Sequence, residues 1–593
     1  MLRNRLSLIL PFVAFALFAC AVLLGYYPDM LYTAQDRNEF FATQEFAQQM
    51  LHSPFGLLSY LGCYLTQFFY YPSLGVGILL VLWALIYVLG LRLMRFGEAE
   101  LKVGHAALAL LPLACLLASL TEVGYWIYTL PLRGYWFSQT LACLVSMLLL
   151  WGAQATPVKY RSLWFVLAVI GLFSFTGWAS LLFCLGMVAM QLTSKPADRM
   201  PWYQLAGGIL ITIVWPLCVV RYLIFSDMDF ATALKAALPY FENNTSATLH
   251  HSYPFMLLAL STLLLFFAQR IKLKAWMLCS AVAVVIVGMT YLFSFKDDNY
   301  LAEMRMNRAA MDDDWQSILV EASKTKTPSR TMVMLKNIAL MNTGELGSRS
   351  FALENSGVEI NNPDSLQINS MLIAAPMIYY NYGKVMYAIR WCMENTVGHG
   401  FSPYYLKMYV RCALASGERK FMNRYLHMLG KTTFHADWRP RPTTPVIREL
   451  QESFSDVIDS DHNNCERYLI ENFSLAAGSS SPLVKDLNLF YAMIYRDPKL
   501  FWPAFHAFAL MSKGANLPLH YQEAYLIMQQ NFPAQLPYQV GITQAVSQNY
   551  KAFGQTIASL TQQGMSKEEI GAATRDAWHH TYWWYLMYGR TMY

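Results

Sequence analysis

The sequence predicts an all-α protein: a polytopic bundle of about nine transmembrane helices followed by a soluble helical solenoid. Three observations carry that prediction. Of 593 residues, 55% are hydrophobic and 14% charged, against roughly 25% charged in a soluble domain. Charge is unevenly spread, with 16 Lys/Arg and 11 Asp/Glu before residue 296 against 28 and 27 from there on. The apolar pattern also changes there, from runs long enough to cross a bilayer to amphipathic helices with polar turns. Such a composition excludes disorder, a disulfide-dense mini-protein and an ordinary soluble enzyme. The net charge of +6 sits mostly in the first half, where membrane orientation accounts for it better than nucleic acid does.

A hydrocarbon core of about 30 Å takes roughly 20 apolar residues per helix. Nine segments qualify or nearly do: 6–26, 73–91, 105–120, 135–152, 162–175, 178–192, 202–225, 254–268 and 276–295. The fifth and sixth share one run of about 30 residues, too long for one span, and the Gly177-Trp178 break divides it. The first segment is no cleaved leader, because its apolar core is too long and no small-residue cleavage site precedes Pro28.

Basic residues set the orientation. With the N-terminus in the cytoplasm, the inner segments hold Arg3, Arg5, Arg92, Arg95, Lys102, Lys159, Arg161, Lys195, Arg199, Arg270, Lys272 and Lys274. The outer loops hold Arg37, Arg133 and Lys235. An odd number of spans sends everything after Phe295 outward, to the periplasmic side of an inner (plasma) membrane.

The domain reading follows: 1–295 in the membrane with an interfacial loop at 27–72, a helical repeat domain at 296–436, and a C-terminal helical domain at 437–593. Asp314-Trp315 to Ala322 opens the first helix pair, and Gly344, Gly383 and Gly417 mark later turns. Gly383 to Gly417 is 34 residues, the tetratricopeptide period; Gly344 to Gly383 is 39, which departs from it. Over about 310–430 the units resemble degenerate tetratricopeptide repeats, and any stacked helical array would show a similar pattern. Either way a curved surface for envelope protein partners results. The terminal His579–Tyr588 aromatic stripe reads as core packing or an interface belt, with a sugar-stacking platform as the sharper alternative.

No phosphate loop, zinc-protease helix, nucleophile elbow or dinucleotide fingerprint stands in a fitting context, and the ten cysteines form no CxxC pair. The informative stretch is the first outer loop. It carries Asp29, Asp36, Glu39 and Glu45, then two amphipathic stretches at about 38–51 and 54–70, closing on Phe68-Phe-Tyr-Tyr71 at headgroup level. Glu122 opens the second outer loop. Arg221 ends the seventh span, and Arg133, Lys235, His250 and His251 stand in neighbouring outer loops. The plainer roles are helix caps for Asp29 and Asp36 and snorkelling for Arg221.

This layout resembles the polyprenol-dependent glycosyltransferases of the GT-C fold over residues 1–295, through the N-in first span, the long interfacial first loop and the acidic residues of the first two outer loops. The resemblance implies a lipid-linked sugar donor carried on polyprenyl phosphate. Asp29 or Asp36 would be the base and Glu122 the second carboxylate. Arg133, Arg221, Lys235, His250 and His251 would face the leaving phosphate. The sequence assigns no metal ligands, and a divalent cation stays open as a cofactor. Two departures stand against it: the loops hold no paired DxD, and nine spans is fewer than most members have. The whole chain also resembles a family of bacterial multi-pass membrane proteins with a helical outer tail, which brings no function with it. The competing account is a membrane scaffold that binds lipids and envelope proteins but no nucleic acid.

Overall fold

The computed structural model describes residues 2–52, 56–94, 103–121, 133–177, 180–218, 229, 245–271, 273–294, 296–355, 371–454, 469, 479–512 and 516–589. The described residues form helices and turns without a β-strand. The chain divides into two compact units. The first comprises Met1–Lys296 together with His399–Tyr404 and Met428–Asp437; the second comprises Asp297–Gly398, Tyr405–His427 and Trp438–Tyr593.

Thirteen described helices build the first unit: α1 Leu2–Gly25, α2 Pro28–Asp36, α3 Gln44–His52, α4 Gly56–Thr66, α5 Pro72–Met94, α6 Val103–Leu108, α7 Leu111–Thr121, α8 Tyr135–Ala155, α9 Val158–Thr176, α10 Ser180–Thr193, α11 Trp202–Cys218, α12 Thr245–Phe267 and α13 Ala275–Phe293. Among the described residues, six stretches are long and apolar enough to cross a membrane: Leu8–Gly25, Pro72–Met94, Val103–Thr121, Tyr135–Ala155, Val158–Thr176 and Ala275–Phe293. Three shorter apolar helices, Ser180–Thr193, Trp202–Cys218 and Met256–Phe267, stand where the sequence suggests the remaining spans. The long run at 158–193 is two helices. α9 stops at Thr176, and Gly177 takes φ +62°, a left-handed value that glycine adopts without a Cβ penalty.

A chain of contacts gathers the turns of this bundle at two ends. Gln154 donates to the Leu93 carbonyl at 3.0 Å. Arg161 donates to Ala153 and to Asp198 at 3.1 and 2.8 Å, and Arg270 reaches the Leu192 carbonyl at 3.3 Å. Gly104 lies against Ala275, where an added Cβ would come within 3.2 Å of its Cα. Arg92, Lys159, Arg161, Lys195, Arg199, Arg270 and Lys274 therefore share one end. At the opposite end Gly134, with φ +73°, meets Ser59 and Gly62 of α4, and Tyr135 donates to the Ser119 carbonyl.

The second unit continues the numbering: α14 Asp298–Met311, α15 Trp315–Ser323, α16 Arg330–Thr343, α17 Leu346–Arg349, α18 Met371–Asn381, α19 Val385–His399, α20 Pro403–Ala415, α21 Arg419–Leu429, α22 Pro445–Ser453, α23 Pro482–Tyr495, α24 Pro498–Ala509, α25 Leu519–Asn531, α26 Gln544–Gln562, α27 Lys567–Trp578 and α28 Tyr582–Tyr588. The ends of α19, α20 and α21 at 399, 403–404 and 428–429 belong to the first unit. Caps start several of these helices: Asp314, Ser329, Thr444, Ser481, Asp497 and Ser566 each accept a backbone N–H from the first turn. Gly344, Gly383 and Gly417 all take φ between +71° and +75°, which closes the preceding helix with a left-handed residue. The aromatic stripe is core: Tyr582, Trp583, Trp584 and Tyr585 are buried, and the Tyr582 N–H donates to Glu523, which also pairs with His520 at 2.8 Å.

Buried polar groups tie these helices together. Arg411 is buried and donates to the Met311 carbonyl at 2.7 Å and to Asp313. Glu303 is fully enclosed beside Ser329, which donates to it, and burial pushes its carboxyl up to about 8. Its unfolded value is the ordinary 4.5. Between those values the unfolded chain releases the proton while the folded one keeps it, so stability falls as pH climbs from 4.5 to about 8 and is level above. Asp486, raised to about 6 by burial beside Tyr521, acts in the same direction at lower pH. Melts of the full-length protein in detergent at pH 5 to 8 should show this decline. Glu303→Gln should flatten it and melt above the wild type at pH 8; a Gln variant that keeps the same slope would refute the assignment.

Candidate functional site

At the non-basic end of the first unit, the described residues of 27–71 form a folded layer. Pro28 sits at the first position of α2, where a missing N–H costs nothing. Asp29 and Asp36 stand seven residues apart on this helix, about two turns, so they share a face. Asp36 is the last residue of α2, and the next helix starts only at Gln44; it does not cap a helix that begins at Arg37. Asp29 is half-buried, and its carbonyl accepts from the Thr33 hydroxyl at 2.8 Å.

Gln35, Asp36, Arg37, Asn38 and Glu39 are all buried. Burying so polar a run is costly unless each group finds a partner. Asn38 donates to the Cys63 carbonyl at 3.0 Å. Three others reach segments that lie far along the chain yet belong to this unit. Gln35 Oε1 lies 2.9 Å from His435 Nε2. The Arg37 guanidinium lies 3.5 Å over the Tyr404 ring. Glu39 Oε1 accepts the Phe401 N–H at 3.0 Å, and Glu39 Oε2 is 2.8 Å from Arg133 Nη2. That last approach is an ion pair.

Burial pushes the Glu39 carboxyl up, more strongly than Arg133 and the Phe401 N–H pull it down. Gly400 is pressed against it with φ +86°, and a Cβ there would stand 2.0 Å from Oε2. Backbone and rings complete the grip. The Ala42 N–H donates to the Lys431 carbonyl at 3.1 Å, and Phe434 stacks on Tyr70 with ring centroids 5.3 Å apart. The Phe68–Tyr71 run, expected at the headgroup level, thus serves here to hold residues 428–437.

Of the residues singled out by sequence, the structure places Asp29, Asp36 and Arg133 in this layer and brings Arg133 onto Glu39. Glu122, Arg221 and Lys235 lie outside the described residues. His250 and His251 fall on α12, with side chains outside the description. Glu39 itself was one acid among four in the loop; only its partners, 94 and 362 positions away, distinguish it. Among the described residues no group of three His, Cys, Asp or Glu side chains is placed to hold a metal ion, and the described cysteines form no disulfide with one another.

No curated protein and no solved structure matches the chain. A family model described as a family of unknown function (DUF6057) matches residues 3–589, so the chain belongs to that family.

Proposed function

We propose that this member of the DUF6057 family is a nine-span scaffold of an inner membrane, cytoplasmic at its N-terminus, that presents a helical-repeat surface to envelope proteins on the outer side. The observation that carries the reading is the closed layer at 27–71. Its polar residues grip 399–404 and 428–437 and are buried in doing so, so the loop serves as a mount rather than an open cleft.

Helix direction supports the span count. α6 and α13 both begin at the basic end, because Gly104 touches Ala275, and so run parallel. Were only the six long stretches to cross, these helices would be third and sixth and would run in opposite directions. Counting the three shorter helices makes them third and ninth, which restores the parallel pair. The basic end then faces the cytoplasm, and the left-handed glycines at 344, 383 and 417 suit a tetratricopeptide-like array.

A second reading draws on Glu39, a buried carboxyl with a raised pKa beside a cation, as functional sites often hold. In that reading the protein is a GT-C-like transferase of a lipid-linked sugar. Asp29 or Asp36 removes the acceptor proton with Glu122 beside them, while Arg133, Arg221, Lys235, His250 and His251 stabilise the leaving phosphate.

One experiment separates the two. In a strain whose loss of this protein gives a defect, the triple variant Asp29→Asn, Asp36→Asn, Glu122→Gln is expressed at wild-type level. The scaffold reading expects the defect to be corrected, because shape and hydrogen bonding are kept. A general base would lose about 10²- to 10⁴-fold in rate, so failure to correct at unchanged protein level would overturn the scaffold in favour of the transferase.

A further inference from the structure

Between α1, α6 and α13, in the half of the bundle nearest the basic end, lies a lateral groove of about 470 Å³. That volume falls within the roughly 300–1,000 Å³ of ligand sites, yet the wall is apolar throughout: Leu10, Ala14 and Phe18 on α1, Ala107 on α6, Cys279 and Ala283 on α13. An apolar wall offers no hydrogen bond, so whatever lies there is hydrocarbon.

Length and charge narrow the occupant. Leu10 to Phe18 and Cys279 to Val287 each cover nine residues, about 12 Å of helix from first to last, close to the roughly 15 Å of one leaflet. The groove opens just beyond the start of each span, since Leu10 follows Leu8 by two residues, Val103 is the first of its span and Cys279 follows Ala275 by four. Lys274 and Trp276 are exposed at that mouth, a cation and an aromatic residue suited to headgroup level. Arg270 is exposed at the same end. We infer that this groove is a binding site for one acyl chain of an anionic phospholipid of the leaflet at the basic end, with its phosphate held by Lys274.

Native mass spectrometry of the full-length protein, delipidated in detergent and titrated with phosphatidylglycerol or phosphatidylcholine, tests this. The wild type should retain one phosphatidylglycerol in preference to phosphatidylcholine. Ala283→Trp and, from the opposite wall, Ala14→Trp should each lower that retention at least fivefold, as a ring fills the groove. Val284→Trp, at a neighbouring position 71% exposed and outside the groove wall, should leave it unchanged. Lys274→Gln should erase the preference between the two headgroups, about fivefold for one cation at the surface, while chain binding persists. Full phosphatidylglycerol retention by both Trp wall variants would overturn the site. So would a dimer that forms as lipid leaves, which would assign the groove to a helix of a second copy.

Discussion

Gly62→Val will destabilise the full-length protein by about 3–4 kcal/mol, while Gly77→Val will leave it nearly unchanged. Gly62 lies on α4 where it crosses the start of α8, and a Cβ there would come within 2.4 Å of the Gly134 carbonyl oxygen and 2.7 Å of its Cα. These neighbours are backbone, so no rotamer change relieves them, and the two helices would have to part to admit the side chain. Gly77 on α5 has nothing within 4 Å of the same position, and Val there only adds apolar surface to a helix. Thermal melts in detergent should separate the two variants widely; equal melts would mean that α4 and α8 do not cross this closely.

The second large effect concerns the Glu39–Arg133 pair. Arg133→Leu should cost about 2 kcal/mol, below the 3–5 kcal/mol of fully buried pairs because a third of the arginine side chain is exposed. It leaves Glu39 enclosed without its cation, and the carboxyl, already raised, must rise further or drag its charge out of the layer. Glu39→Gln alone should cost about 1 kcal/mol or less, since the amide oxygen can still accept from Phe401 and burial already disfavours the charge. The double variant should therefore be more stable than Arg133→Leu. Protease cutting within 399–404 gives a local readout: fast in Arg133→Leu, slower in the double variant. If Arg133→Leu is harmless and the cutting rate unchanged, the pair does not fasten this segment.

What the sequence made legible follows the range of the interactions involved. The long apolar helices are visible because a run of apolar residues of span length shows in composition alone, whatever the neighbours. The turn at Gly177 shows because one apolar run exceeded a single span, and the glycine turns at 344, 383 and 417 because a left-handed helix end favours one residue type. The start of α15 shows in Asp314, a local cap. Composition alone could not settle the number of spans: α10 has 14 residues and α11 has 17, below the length that composition requires, and only a contact such as Gly104 with Ala275 bears on direction.

The candidate site lay further out of reach. Asp29, Asp36 and Arg133 stood out as charges near an interface, and that much is local. The meaning of Glu39 depends on Phe401, and that of Gln35 on His435, 362 and 400 residues away. No spacing rule connects such pairs. The loop also looked like free amphipathic helices on a lipid surface, whereas Phe68, Tyr70 and Tyr71 have Phe434 as a ring partner. One sign was present: Asp36-Arg37-Asn38-Glu39 is a dense polar run directly before Phe40-Phe41, and such a run beside apolar rings must find partners or solvent.

The central claim is that the basic turns and the 27–71 layer with its two distant segments lie on opposite sides of a membrane. Single cysteines at Lys274 and at Lys431, both exposed, in a chain otherwise free of cysteine, can be probed in right-side-out vesicles with a membrane-impermeant maleimide. The account predicts that Lys431→Cys is labelled in sealed vesicles and Lys274→Cys only after the membrane is opened. Labelling of both from the same side, or of Lys274→Cys alone, would contradict it.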